Sequence, residues 1–209
     1  MNLAIFGATG KAGRLIVEQA LAGGHQVNAL VRDPAKVCLS HPLLKVIPGA
    51  ADQAIAIEQA VGGVDAVVSA MGGGNGTLTT FGRNVTSAMT RTGVSRIVSL
   101  VGASVSEPGD PASLSHAMLR GMTRLLAAST LEDGQRHARE LEASSLDYTL
   151  VRPPRLTDGP ATGRIRHGLT LNLGPWSSIS RADLAAFMLG VTLESQYLRA
   201  APMVASSRR

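Results

Sequence analysis

Aromatic side chains are scarce here: Tyr148, Tyr197, Trp176 and three Phe make up 3% of 209 residues. The arginines are scattered singly. The chain therefore lacks both the stacking ladder and the cationic stripe of a nucleic-acid binder. Cysteine is rarer still. Cys38 stands alone, which excludes an internal disulfide and fits a reducing compartment. No apolar run approaches the length of a membrane span, and the first residues lack the basic, apolar and small-residue order of an export signal. The expected location is cytoplasmic, with neither nucleic acid nor membrane as a partner. His25, His41, His116, His137 and His167 have no metal-ligand spacing, so no metal is expected. A Gly-x-Ser-x-Gly elbow is also missing, and serine hydrolysis loses its usual placement.

Glycine is plentiful, and its placement carries the most information. The apolar run Leu3–Phe6 ends in Gly7, Gly10 and Gly13, and a helical pattern begins at once. Gly7 suits a sharp exit from a strand, Gly10 a close approach of pyrophosphate to the backbone, and Gly13 tight packing of helix on strand. The helix N-terminus then faces the phosphates with free N–H groups and a positive dipole end. A nucleoside-triphosphate loop needs four residues between its first glycine and Gly-Lys, then Ser or Thr. Here only Ala8 and Thr9 intervene, and Ala12 follows Lys11. The spacing selects a dinucleotide.

Strand-like runs alternate with helical ones. Strands are expected over Leu3–Phe6, Gln26–Val31, Leu44–Ile47, Ala66–Ser69, Arg96–Val101 and Tyr148–Val151, and helices over Lys11–Ala22, Ala54–Val61, Thr79–Thr92 and Leu125–Ser144. Apolar strands alternating with helices predict an α/β fold, a Rossmann-type doubly wound parallel sheet. A length of 209 residues fits one domain, 1–209. Its substrate lobe is expected at roughly 153–180, where Pro153, Pro154, Gly159 and Pro160 predict loop. A further strand over Ile165–Leu173 and a last one over Leu198–Val204 are expected. Between them Ser180 caps a helix running to about Glu194, with Asp183 in a capping-box position.

The tip of the second strand decides the cofactor. An NAD site wants an acidic residue there; this chain has Arg32, whose guanidinium suits a 2′-phosphate. Asp33 follows, and Pro34 assigns it to capping the next turn. NADP (NADPH) is expected over NAD, with Lys11 and Arg14 adding positive charge nearby. Ala70, Met71 and Gly72 end the fourth strand at the same sheet edge. Gly73–Gly76 follow as a mobile rim or a plain turn.

These stretches resemble the atypical short-chain dehydrogenase/reductases, in their NmrA-like group, and within it the biliverdin-IXβ and flavin reductase type. GATGKAGR (7–14), ALVRDPAK (29–36), VDAVVSAMG (64–72), LDYTLVRPPRLTDGPATG (146–163) and ISRADLAAFML (179–189) carry the likeness. The resemblance implies that Thr9, Gly10, Lys11, Ala12 and Gly13, after Gly7, bind pyrophosphate and Arg32 the 2′-phosphate. It also implies that Ala70, Met71 and Gly72 line the ribose, and that Pro153 and Pro154 abut the nicotinamide.

The chemical half departs from the family. Its Tyr-x-x-x-Lys pair is missing: Tyr148 has Arg152 four positions on. The usual serine's place is Gly102, with Ser104 nearby, and the adenine-holding Gly-Asp reads Gly49-Ala50, leaving Asp52 as a shifted substitute. Arg155 follows the proline pair, as a clamp for an anionic acceptor or an ion-pair partner of Asp158. Ser104 is a hydrogen-bond donor or an ordinary loop serine. The expected activity is reduction by NADPH of a small planar or carbonyl-bearing acceptor of flavin, tetrapyrrole or quinone type, by direct hydride transfer. A protein-bound proton donor is dispensable if solvent supplies it. The alternative is a non-catalytic NADP-binding redox sensor of NmrA type. Epimerase or dehydratase chemistry needs the missing pair. Met118 and Met122 serve helix packing or an acceptor pocket, and Trp176 closes that pocket or fills the lobe. The chain is expected to be a monomer or small homo-oligomer.

Overall fold

The computed structural model describes residues 1–103, 105 and 114–207 except 172 and 175, with the backbone alone over 114–127. The chain runs β1 (Asn2–Phe6), α1 (Lys11–Ala22), β2 (Gln26–Val31), a short 3₁₀ turn (Pro34–Lys36), β3 (Leu44–Pro48), α2 (Ala54–Val61), β4 (Ala66–Ser69), α3 (Thr77–Thr92), β5 (Arg96–Leu100) and α4 (Leu114–Glu142). Then follow β6 (Asp147–Val151), β7 (Arg155–Thr157), β8 (Ile165–Gly168), β9 (Ser178–Ser180), α5 (Arg181–Leu193) and β10 (Met203–Ser206).

Six strands form one parallel sheet in the order β3-β2-β1-β4-β5-β6. Because successive residues of a strand face opposite ways, a strand covered on both sides must be apolar throughout. In β1, Ala4 and Phe6 pack with Ile57, Phe81 and Leu141 of α2, α3 and α4. Leu3 and Ile5 pack with Ile16 and Val17 of α1 and Leu184 and Met188 of α5. Helices thus cover both faces, the doubly wound Rossmann arrangement. Its reversal of strand order lies between β1 and β4, which brings the exits of these two strands together at the carboxyl edge.

The elements differ from expectation where sequence periodicity carries least. The long helix α4 starts at Leu114, eleven residues before Leu125. The segment after Pro153 is not loop throughout: Arg155–Thr157 pairs in parallel with Ser178–Ser180 as a two-stranded sheet. The expected Ile165–Leu173 strand ends at Gly168, and the last strand is Met203–Ser206, antiparallel to it. Residues before Met203 run alongside β6 by isolated pairing instead, with Leu150 N donating to Ala200 O and Arg152 N to Pro202 O.

Candidate functional site

At the crossover, Gly7 adopts φ +79°, a left-handed conformation, and a Cβ there would lie 2.8 Å from Ala70 O. A Cβ on Gly13 would lie 2.0 Å from Gly7 O, so α1 seats on the turn only because this residue has none. Gly10 is the N-cap of α1; no side chain caps this terminus and its first turn has no acidic residue. Its N–H groups are left for an external acceptor.

The N-termini of α3 and α5 differ. At α3 the N-cap is Gly76, but Asp133 on α4 reaches across. Its carboxylate accepts from Gly74 N (2.8 Å), Leu78 N (2.9 Å), Thr79 N (2.9 Å) and Thr79 Oγ1 (2.7 Å). Burial opposes ionisation of Asp133, but these hydrogen bonds outweigh it and hold the group below the ordinary carboxylate range. At α5, Ser180 Oγ accepts from Asp183 N at 3.0 Å, as the capping pattern predicts. The reciprocal half is missing from this cap. The Asp183 carboxylate turns instead to Thr162 N, Thr162 Oγ1 and Gly163 N, each at 2.9 Å, and fastens the lobe loop to α5.

A cleft of about 790 Å³ opens over the bare α1 terminus. Its floor is Phe6, Gly7, Thr9 and Gly10. One wall comes from the tips of β2 and β3 (Leu30, Val31, Arg32, Lys36, Gly49, Ala50, Ala51, Asp52). The other comes from Ala70, Met71, Gly72, Asn75, Gly76, Thr77 and Thr80. Asp33 accepts from Ala35 N at 3.1 Å, capping the 3₁₀ turn, and its other carboxylate oxygen lies 3.9 Å from Lys36 Nζ; Arg32 and Lys36 both line the wall, and Asp33 does not. A second cavity of about 560 Å³ shares Thr9 and Gly10 and is lined by Lys11, Arg14, Leu15, Asp158, Gly159, Pro160, Arg181 and Ala182.

The structure therefore brings Gly7, Thr9, Gly10, Arg32, Ala70, Met71 and Gly72 to one cleft, with Asp52 on the same wall as Arg32. Ala12 and Gly13 are buried behind the turn. Lys11 lies on the second cavity, where its Nζ is 3.1 Å from Asp158. Asp158 also takes Arg181, so of the two alternatives for Arg155 the ion pair with Asp158 is not the one formed among the described residues. Arg155 is exposed on β7, and it, Pro153 and Pro154 line neither cavity. Pro153 stays at the carboxyl edge, its carbonyl accepting from Ala103 N at 2.9 Å. Ser104, and the side chains of His116, Met118 and Met122, lie outside the described residues. Trp176 is 88% exposed, so it does not fill the lobe.

Tyr148 and Arg152 do structural work. Tyr148 lies on β6 under Arg199, whose guanidinium carbon is 5.2 Å from the ring centroid. Arg152 is buried and donates to Ala201 O and Val105 O. Sequence reasoning missed Asp133, whose partners lie more than fifty residues away. Its sequence trace is slight, one of several acids along a long helix.

The donor set suits a pyrophosphate: unpaired N–H groups, a cradle that a Cβ would fill, and cations at the wall. Comparison with known families agrees, since a family described as NAD(P)H-binding matches residues 7–194. The chain belongs to this NAD(P)H-binding family. Among solved structures, it is similar to ChuY, an anaerobilin reductase from Escherichia coli O157:H7 (23% identity, 100% of this chain and 98% of that one, TM-score 0.83). A candidate epimerase from Bacteroides thetaiotaomicron is 21% identical over 100% and 98% of the chains, with a TM-score of 0.87. A short-chain dehydrogenase/reductase from Veillonella parvula is 19% identical over 98% and 94%, with a TM-score of 0.80. At these identities the shared property is the fold. Among the described residues, no helix is long and apolar enough to cross a membrane.

Proposed function

We propose that the protein is an NADPH-dependent reductase of a small planar or carbonyl-bearing acceptor, built as one domain with its substrate lobe at roughly 153–180. The observation that carries this reading is the uncapped α1 terminus opening into a cleft with Arg32 on its wall. In this reading the backbone at Thr9–Gly13 holds the pyrophosphate, Arg32 the 2′-phosphate, and Asp52 the adenine. Ala70, Met71 and Gly72 flank the ribose, while Pro153 and Pro154 border the nicotinamide. When bound, the nicotinamide supplies the hydride, so the chain need only bind, orient and exclude water. Arg155 and Ser104 are the side chains offered to the acceptor, Arg155 as an electrostatic clamp and Ser104 as a donor.

A second reading has a specific observation behind it. Tyr148 and Arg152 stand where a proton-relay pair is sought, and both are engaged in packing and backbone hydrogen bonds. A chain without a relay fits a non-catalytic NADP-binding sensor of NmrA type. One experiment separates the two: NADPH oxidation against FMN, riboflavin, biliverdin, quinones and small aldehydes, with calorimetric titration of NADPH and NADH. Turnover of any acceptor supports the reductase. Tight NADPH binding with no turnover supports the sensor, and no binding of either nucleotide overturns both.

A further inference from the structure

The loop that walls the large cleft has almost nothing of its own to hold it. Gly74, Asn75 and Gly76 all lie at positive φ (131°, 54° and 78°), and the run from Gly72 to Gly76 offers Asn75 as its only side chain beyond hydrogen. The fixed point comes from another element. Asp133 is 2% exposed on α4, and each of its carboxylate oxygens accepts two hydrogen bonds. Oδ2 takes Gly74 N and Leu78 N; Oδ1 takes the Thr79 amide and hydroxyl. These donors alternate with the cleft wall, since Asn75, Gly76, Thr77 and Thr80 line the cavity. One turn along α4, His137 lies against Gly82 of α3 and 2.8 Å from Ser99 Oγ of β5, so the platform carrying Asp133 is itself fixed to the sheet.

We propose that Asp133 is a positioning residue for nucleotide binding: it holds the 72–80 segment as the cleft wall, and through it sets affinity for the adenosine half of the dinucleotide. The proposal rests on the cofactor reading above. It follows from where the charge sits. A carboxylate buried under the α3 N-terminus satisfies those N–H groups from inside, and phosphate is directed to the bare α1 terminus instead. Asparagine cannot substitute. Whichever way its amide turns, the NH2 group faces either Gly74 N and Leu78 N or Thr79 N, so at least one backbone donor of the 74–79 segment loses its acceptor and the charge is lost with it.

The test is calorimetric titration of the full chain with 2′,5′-ADP and NADPH, paired with amide hydrogen exchange. Asp133→Asn is expected to weaken both ligands by about tenfold and to raise exchange at Gly74, Leu78 and Thr79 above the rest of α3. Thr79→Val removes one of the four bonds and is expected to change both readouts in the same direction by less; it decides the matter if Asp133→Asn fails to fold. A merely structural role would lower the unfolding midpoint and leave the affinity of the folded fraction unchanged. That result, in whichever variant folds, overturns the proposal alone. Failure of the unsubstituted protein to bind 2′,5′-ADP or NADPH overturns the cofactor reading and this proposal with it.

Discussion

Lys11 Nζ lies 3.1 Å from the Asp158 carboxylate, so the lysine of the glycine turn is held by the protein's own anion. The lysine bond is the largest influence keeping the Asp158 carboxyl below the ordinary range, with Arg181 adding to it against some desolvation. Both partners are largely exposed, at 72% and 64%, so the pair acts as an exchangeable contact rather than a source of stability.

Asp158→Asn should therefore tighten NADPH binding. It frees Lys11 and Arg181, and an incoming phosphate no longer competes with a carboxylate beside Thr9 and Gly10. A few-fold decrease in Kd is expected at low salt, fading as ionic strength rises and the Debye length shortens. Weaker binding of the variant would show that Asp158 orients Lys11 for the ligand instead of competing for it.

Arg32→Ala should change which nucleotide is preferred. Arg32 lines the cleft at the end of β2, and Asp33, occupied with Ala35 N and Lys36, is not among the lining residues. Loss of a charge-assisted bond to a 2′-phosphate corresponds to roughly 1.5–3 kcal/mol, or about ten- to a hundredfold in NADPH affinity. NADH affinity should hold. Equal losses for both nucleotides would remove the 2′-phosphate from the account of Arg32.

The glycines should differ in cost. A Cβ on Gly13 meets Gly7 O at 2.0 Å, backbone against backbone, with no flexible side chain to yield. At Gly10 the nearest atom is 3.2 Å away, and its φ of −77° suits alanine. Gly13→Ala is expected to lower unfolding free energy by about 2–4 kcal/mol, read from urea denaturation. Gly10→Ala should keep the fold and lose nucleotide affinity, because the ligand's approach is what its missing Cβ serves. Equal stability for the two variants would contradict the packing account of Gly13.

Legibility in the sequence followed the range of the forces involved. The glycine turn, the apolar strands and the Ser180 cap are local patterns, and each lies where the residues predict. The place of Arg32 on the cleft wall was legible because it is counted along one strand from a fixed motif. The start of α4 at Leu114 was not, since nothing in the apolar spacing marks the eleven residues before Leu125. Strand β7 escaped because proline and glycine surround it, and its partner Ser178–Ser180 is more than twenty residues away. Asp133 illustrates the limit best: its meaning depends on α3 and α4 lying side by side, a tertiary fact.

His137 gives a prediction in pH. Its ring is fully buried between α4 and the sheet; desolvation, against the pull of Asp133, pushes its pKa from 6.5 down to about 4. Below about pH 6.5 the unfolded chain takes up a proton at this site, and the folded chain does not until about pH 4. The unfolded state binds more protons across that window, so stability falls as pH falls through it. The cumulative loss is about 3 kcal/mol at 1.36 kcal/mol per pH unit. Asp133, held below the ordinary carboxylate range, adds a loss only at more acid pH, below this window. His137→Leu should lower stability at pH 7, by leaving Ser99 Oγ without its partner, and flatten the slope between pH 6.5 and 4. Urea midpoints at pH 7, 5.5 and 4.5 for both proteins decide it. An unchanged slope in the variant would assign the acid sensitivity to other groups.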